Sequence, residues 1–341
     1  MSELCNIAIV GATGAVGEAI LEQLVGLELP LGEIFPLASA SSAGETVMID
    51  KRPAVVGDLA EFDFTTVHLA LFAVPSDVSV VHAPRAVESG CRVVDCSSAF
   101  RGDSTVPLIL VSQDEQGLMD QGIGQHNLIA SPGSLAAELG LVLKPVNDEV
   151  EITRINVVAC MTASDAGKSG IGELATQAAG LLGGKTAEPE VFPHQIAFNV
   201  IPQVGDVQDD GLTAVERGTA LELKRILGAE AAAIDVSCIQ VPIFYGNSME
   251  VLVETRYPLH IEEFEQILRQ ITGVQLFSGR DKQGLPTPVT DLQNFDKTCV
   301  GRVRESRCLE NGLNLWITSD NVRKSAAKNA VAIAKLLVES Y

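Results

Sequence analysis

The sequence predicts an α/β fold: an N-terminal Rossmann-like domain followed by an α+β domain. Three observations carry that reading. A glycine-rich turn, Gly11-Ala-Thr-Gly14-Ala-Val-Gly17, joins the first apolar run to an amphipathic stretch. Nearly continuous apolar runs alternate with helical patterns through the first third of the chain, as in a parallel sheet covered on both faces. Near residue 130 the pattern changes to longer strands, which sets domains at 1–130 and 131–320.

The elements follow in order. Asn6 to Val10 is an Ile/Val-rich strand ending at Gly11, and the helix after it places Val16, Ile20, Leu21, Leu24 and Val25 on one face. Apolar runs Ile34 to Ala38 and Val67 to Val74 read as further strands, Val78 to Ser89 as a helix, and Arg92 to Cys96 as the next strand. Alternation of this kind favours right-handed crossovers and a doubly wound sheet. Ser131-Pro-Gly-Ser134 is a turn and helix-start signal, predicting a helix from Leu135 to Leu143 ended by Lys144-Pro145. The second half offers strands at Ile152 to Ala159, Ala233 to Ile243 and Glu250 to Tyr257. Ser325 to Ser340 is a strongly amphipathic helix, and the C-terminal stretch 320–341 is expected to pack back on the first domain.

Composition narrows the partners. With 341 residues, 46% of them hydrophobic, the chain can bury a large core. A net charge of −20 argues against nucleic acid or an anionic membrane, both of which would repel it. No apolar run approaches the roughly 20 residues of a membrane span. The N-terminus enters a strand without a basic segment ahead of it, so a cytoplasmic protein is expected. The seven cysteines include no C-x-x-C pair, so no metal knuckle is expected, and most read as reduced thiols in apolar stretches.

The glycine turn has a chemical purpose. Gly11 permits the tight turn, Gly14 lets a pyrophosphate approach the backbone, and Gly17 lets helix and strand press together. The phosphate would then rest on the amides around Thr13, Gly14, Ala15 and Val16 at the helix N-terminus. The choice between NAD and NADP stays open. The second strand runs into Ala38-Ser-Ala-Ser41-Ser42-Ala-Gly44, which holds neither an acid for ribose hydroxyls nor an arginine for a 2′-phosphate.

With these segments in view, the chain resembles the aspartate-semialdehyde dehydrogenase family, more narrowly its Usg-type homologues. The resemblance runs in order through GATGAVG (11–17), ASASSAG (38–44), SSAFR (97–101), IASPGS (129–134), SDAGKSG (164–170), QIAFNVIPQ (195–203), QVPIFYGNS (240–248) and DNVRKSAAKNA (320–330). It implies an NADP-binding N-terminal domain, a catalytic and dimerisation C-terminal domain, and a homodimer or tetramer. It also implies the reversible, phosphate-dependent oxidation of aspartate semialdehyde to aspartyl phosphate.

Carried over residue by residue, the resemblance finds its chemistry replaced. The family's nucleophilic cysteine falls on Ser134, its histidine base on Asn247, and its substrate-binding arginine on Gln240. A serine hydroxyl needs an adjacent base to attack, and an amide cannot accept a proton near neutral pH. Gln240 can hydrogen-bond a carboxylate without an arginine's charge and fork. The family's glutamine falls on Met161, its 2′-phosphate arginine on Ser41, and a cofactor-contacting glutamine on Ala332. Matches remain at Arg101, implied to bind phosphate or substrate, at Asn321 near the cofactor, and at Ser97 and Ser98.

Each position also has a plainer reading: Ser134 as a helix-start hydroxyl, Asn247 as a turn residue after Gly246, Arg101 as a surface cation. Cys96 and Cys160 are the substitute nucleophiles to consider, and His194 the histidine to watch. Two functions follow: a weakly active or non-catalytic dinucleotide-binding paralogue, or an active NAD(P)-dependent semialdehyde dehydrogenase that uses another nucleophile.

Overall fold

The computed structural model describes residues 4–27, 29–111, 118, 123–229, 232–278, 285–292 and 296–339. The chain divides into two compact units, Met1–Gly133 with Ala326–Tyr341, and Ser134–Ser325.

The first unit is the Rossmann-like one. Its elements are β1 (Cys5–Val10), α1 (Ala15–Val25), β2 (Leu31–Ala38), the antiparallel hairpin of β3 (Thr46–Ile49) and β4 (Arg52–Val55), β5 (Gly57–Asp58), β6 (Leu69–Phe72), α2 (Ser76–Glu88), β7 (Arg92–Asp95) and β8 (Leu128–Ala130). Six strands form one parallel sheet in the order β5-β2-β1-β6-β7-β8. Ile7, Ile9, Leu69, Leu71, Val93 and Val94 are fully buried, which is why these short runs carry no polar alternation. The chain order reverses at β1, whose neighbours are β2 and β6, and the glycine turn leaves the carboxyl end of that strand. In open α/β sheets such a switch point is where ligands bind. A last helix of this unit, Lys328–Glu339, carries Asn329, whose amide donates to Ser131 Oγ at 2.8 Å and to the Ile109 carbonyl at 3.0 Å.

The second unit opens with α3 (Ser134–Val150) and continues with β9 (Ile152–Met161), α4 (Gly167–Leu182), α5 (Ala214–Leu227), β10 (Ala233–Gln240), β11 (Asn247–Thr255), α6 (Ile261–Gln270), β12 (Val274–Phe277), β13 (Thr298–Glu305) and β14 (Gly312–Ser319). The last helix of the chain, Lys328–Glu339, is α7. The strands of the second unit form a mixed sheet, β10-β9-β11-β14-β13-β12, parallel at its two ends and antiparallel between. Its inner face is apolar: Ile155, Val157, Ala159 and Met161 of β9 and Met249, Val251 and Val253 of β11 are buried, while Val158 points the other way and is exposed. Among the described residues no helix is long and apolar enough to cross a membrane.

Several boundaries differ from the sequence reading. The helix after Ser134 does not stop at Lys144-Pro145 but runs to Val150. Proline removes one backbone donor, and the loss is outweighed where Val142, Leu143 and Val146 are all buried around it. The exposed Lys144–Asp148 pair also spans the position, a smaller contribution. The run Val67 to Val74 shortens to Leu69–Phe72, and the strand expected to reach Ile243 ends at Gln240. The strand expected from Glu250 to Tyr257 spans Asn247–Thr255. The C-terminal stretch begins with a π-helical turn, Asn321–Ala327, before the α-helix; Ser340 lies outside the described residues.

Candidate functional site

The candidate functional side chains form two sets, one in each unit. In the first, Gly11 has φ +87°, and a Cβ there would stand 2.3 Å from the Ala73 carbonyl oxygen. A Cβ on Gly17 would stand 2.1 Å from the Gly11 carbonyl oxygen. Both positions therefore demand glycine for space, as the motif requires. Gly14 starts α1, and no side chain caps the helix there, so amides of the first turn remain open to a ligand. This arrangement fits a dinucleotide pyrophosphate, with Thr13, Ala15 and Val16 half-buried around it.

The loop after β2 is a hydroxyl surface. Ser39 and Ser41 share a hydrogen bond at 2.8 Å, Ser41 is exposed and Ser42 half-buried. After β7, the Asp95 carboxylate accepts from Ser97 Oγ at 2.7 Å and from Ser79 Oγ. Ser98 is exposed at the next position. Arg101 is not a free surface cation. Its guanidinium donates to the carbonyls of Ser131, at 2.9 Å, and Cys96, tying the SSAFR loop to the end of β8. Cys96 lies in this unit, half-buried; burial and the neighbouring Asp95 push its thiol up to about 12. A thiol that holds its proton is a poor nucleophile.

The second unit holds the polar cluster. Ser134 begins α3, and Asn247 begins β11 on the inner face of the sheet. Asn247 is not a solvent-facing turn residue: its side chain is fully buried and makes four hydrogen bonds. Its Oδ1 accepts from the Thr162 N–H at 3.1 Å and the Thr162 hydroxyl at 3.2 Å. Its Nδ2 donates to Asp165 Oδ1 at 3.3 Å and to Ser134 Oγ at 3.5 Å. Asp165 also accepts from the Thr162 N–H at 3.1 Å, through Oδ2. Burial pushes the Asp165 carboxyl up to about 6, although the bonds from Asn247, Thr162 and Asn321 pull the other way.

The cluster continues through Ser164. Its hydroxyl lies 3.0 Å from Thr162 Oγ1 and accepts from Asn321 Nδ2 at 2.9 Å. Asn321 Oδ1 in turn accepts from the Gly246 N–H at 3.2 Å. Both ends of the Asn321 amide are thus committed inside this unit. Gln240 is buried, and its Nε2 donates to the Met161 carbonyl at 3.0 Å, so part of its capacity to hold a carboxylate is already used. Met161 lines the apolar inner face.

Of the substitute groups, Cys160 falls away on geometry. Cys160 pairs with Ser248 across β9 and β11, one residue out of step with Asn247 and Met161, so it faces the opposite side of the sheet. Burial also raises its thiol. His194 is exposed. Ala332, on α7, is half-buried. The sequence reading missed Thr162, Asp165 and Glu138. Asp165 lay within the SDAGKSG segment, and Glu138 is the one charge in the apolar run Leu135–Leu143, which was the available signal.

Comparison with known proteins agrees with this two-part build. Residues 6–118 match the semialdehyde dehydrogenase NAD binding domain, and residues 143–324 match the semialdehyde dehydrogenase dimerisation domain. The chain is 42% identical to aspartate-semialdehyde dehydrogenase 2 of Vibrio cholerae over the full length of both chains. It is 40% identical to the USG-1 protein homolog of Pseudomonas aeruginosa, again over both full lengths. The crystal structure of aspartate semialdehyde dehydrogenase II from Vibrio cholerae complexed with ASA superimposes with a TM-score of 0.93 at 42% identity, covering all of both chains.

Proposed function

This chain belongs to the aspartate-semialdehyde dehydrogenase family, and from that premise we infer that it is a dinucleotide-binding, homodimeric member that does not run the family's covalent thioester chemistry. The observation that carries the reading is the Asn247 amide, which donates toward Ser134 Oγ. Nucleophilic attack by a hydroxyl needs a group that takes its proton. An amide N–H offers a proton instead, and it occupies a lone pair of the oxygen that would attack. Asp165 is a proton acceptor, but Asn247 stands between it and Ser134, and an amide does not relay protons as imidazole does.

The other candidate nucleophiles do not repair this. Cys96 keeps its proton, and Cys160 faces the wrong side of the sheet. The resemblance places the family's cysteine and histidine on Ser134 and Asn247, and these groups act as a unit, so both losses together remove most of the rate. What is retained is the scaffold: the glycine turn for the dinucleotide, the hydroxyl loop Ser39–Ser42 toward its ribose, Arg101 and Gln240 as candidate anion contacts, and the dimerisation domain for a second copy. A bound NADP or NAD would serve as hydride acceptor in the family's reaction, and the glycine turn Gly11–Gly17 and the Ser39–Ser42 loop are the residues that would hold it.

The test is direct. Purified protein is mixed with aspartate semialdehyde, phosphate and either NADP or NAD. The expected result is dinucleotide binding by calorimetry without phosphate-dependent reduction at a rate normal for the family. Turnover at such a rate would overturn the reading. Light scattering should give the mass of a dimer.

A second reading has its own support. Relatives at 38–42% identity over the full chain bear the name aspartate-semialdehyde dehydrogenase. Under it, the protein is an active NAD(P)-dependent dehydrogenase of aspartate-family amino-acid biosynthesis, and the same assay decides between the two.

A further inference from the structure

Helix α3 places Glu138 four residues after Ser134, so both side chains leave the same face of the helix, one turn apart. The Glu138 side chain is 1% exposed. Its Oε1 accepts from the Ser325 hydroxyl at 2.7 Å. Its Oε2 is shut away from water, and among the described residues no donor reaches it. Ser325 Oγ also lies 3.2 Å from the Asp320 carbonyl. The Asp320 carboxylate accepts from the Val322 and Arg323 N–H groups, at 3.0 and 2.6 Å, closing the turn that carries Asn321.

An anion at Glu138 would be badly placed. One oxygen would have a single neutral donor and the other none, so its lost hydration would go uncompensated. The charged groups that face it make matters worse: Asp165 and Asp320 are acidic, and Lys324 is the cation that opposes them. A neutral acid avoids the charge, at the smaller cost of one unmade neutral hydrogen bond. Burial accordingly holds Glu138 well above the usual carboxylate range, against the pull of Ser325.

We propose that Glu138 is a proton-holding positioning residue: its neutral carboxyl joins the Ser134 helix to the Asp320–Ser325 turn, and loss of that one proton loosens the Asn321 side of the cluster. The device works whether or not Ser134 reacts. The folded state holds the proton more tightly than the unfolded chain. Its stabilisation is therefore complete below the unfolded value, about 4.3, and disappears as pH rises through the folded value.

The experiment compares the full-length protein with E138Q and S325A by thermal unfolding between about pH 4 and pH 9. E138Q fixes the neutral state. It should unfold within about 1 °C of the natural protein at the acid end and about 3–6 °C higher at the alkaline end. Curves that run parallel at every pH overturn the proposal. S325A removes a donor that favours the anion, so its fall with pH should continue to a higher pH before levelling off, whatever its overall loss; levelling at the same or a lower pH overturns it. If E138Q does not fold, infrared spectroscopy decides. A buried carboxylic-acid band must be present in the natural protein at neutral pH, and its absence sinks the idea. Amide exchange gives the local readout. The Gly246 and Val322 N–H groups should lose protection with rising pH in the natural protein and keep it in E138Q.

Discussion

The Asn247 side-chain amide bridges Asp165 Oδ1, at 3.3 Å, and Ser134 Oγ, at 3.5 Å, while its oxygen takes both donors of Thr162. One neutral side chain thus joins strands β9 and β11 to the start of helix α3. At 3.5 Å the Ser134 contact is the weakest of the four. The bridge has unequal arms, and each arm can be tested.

Removing the hub should be expensive. Asn247→Ala leaves the Thr162 N–H and hydroxyl short of an acceptor and Asp165 short of a donor, all in a buried setting. Unmade buried bonds of this kind cost about 1–3 kcal/mol each, with partial relief through the remaining network. The expected loss is roughly 2–4 kcal/mol in urea unfolding. Ser134→Ala, at the weak arm, should cost less than about 1 kcal/mol and leave dinucleotide affinity unchanged. Equal losses at the two positions would contradict this division of the bridge.

Restoring the thiol and the imidazole tests whether the rest of the cluster is still competent. In Ser134→Cys with Asn247→His, an imidazole can take the proton that the amide cannot. Phosphate-dependent oxidation of aspartate semialdehyde should rise at least about 10²-fold over the natural protein, the low end of what a general base contributes. Either single change should give little, because the two groups act together. No gain in the double variant would assign the deficit to Gln240 and Met161 instead.

The acid at the far end of the bridge makes the protein's stability depend on pH. Asp165 is pushed up to about 6 in the folded chain and has an ordinary value near 3.9 when unfolded. The sign follows: its contribution is fully present below about pH 3.9 and lost as pH rises through about 6. The full loss is roughly 3 kcal/mol. Asp165→Asn should reduce the slope of the stability profile between about pH 4 and pH 7, leaving the part that Glu138 contributes, measured by urea unfolding at fixed ionic strength. A slope in that window that the substitution leaves unchanged would assign it to a different titrating group.

The sequence made the first unit legible because its information is local. Seven consecutive residues, Gly11 to Gly17, set the turn, and short apolar runs set the strands beside it. The polar cluster was harder for the opposite reason. Ser134, Thr162, Asp165, Asn247 and Asn321 meet only after the mixed sheet forms, and no spacing in the chain announces that. Asn247 follows Gly246, so local chemistry suggested a turn; the register of β11 turns it inward instead. Pro145 misled in the same way, since burial of α3 outweighs its missing donor. Replacement of a thiol and an imidazole could be read from the resemblance, whereas the donor direction at Ser134 needed the geometry.

The glycine turn yields a graded prediction, because its three glycines do different things. A Cβ on Gly17 would meet the Gly11 carbonyl oxygen at 2.1 Å, backbone against backbone, with nothing flexible to move. Gly11 is doubly constrained, by φ +87° and by the Ala73 carbonyl oxygen at 2.3 Å. Alanine at either position must displace α1 from the sheet and should cost about 2 kcal/mol or more. Gly14 is different: its Cβ would find the Gly11 carbonyl oxygen at 3.3 Å, a contact that a few tenths of an ångström relieve, and its φ is an ordinary −80°. Gly14→Ala should therefore fold with a loss under about 1 kcal/mol, yet its methyl stands where a pyrophosphate would approach the backbone. Thermal unfolding with and without NADP or NAD separates the two effects. Gly14→Ala should keep most of its melting temperature and lose most of the ligand-induced rise, whereas Gly17→Ala should lose both. An undiminished rise in Gly14→Ala would place the dinucleotide phosphates elsewhere than on this turn.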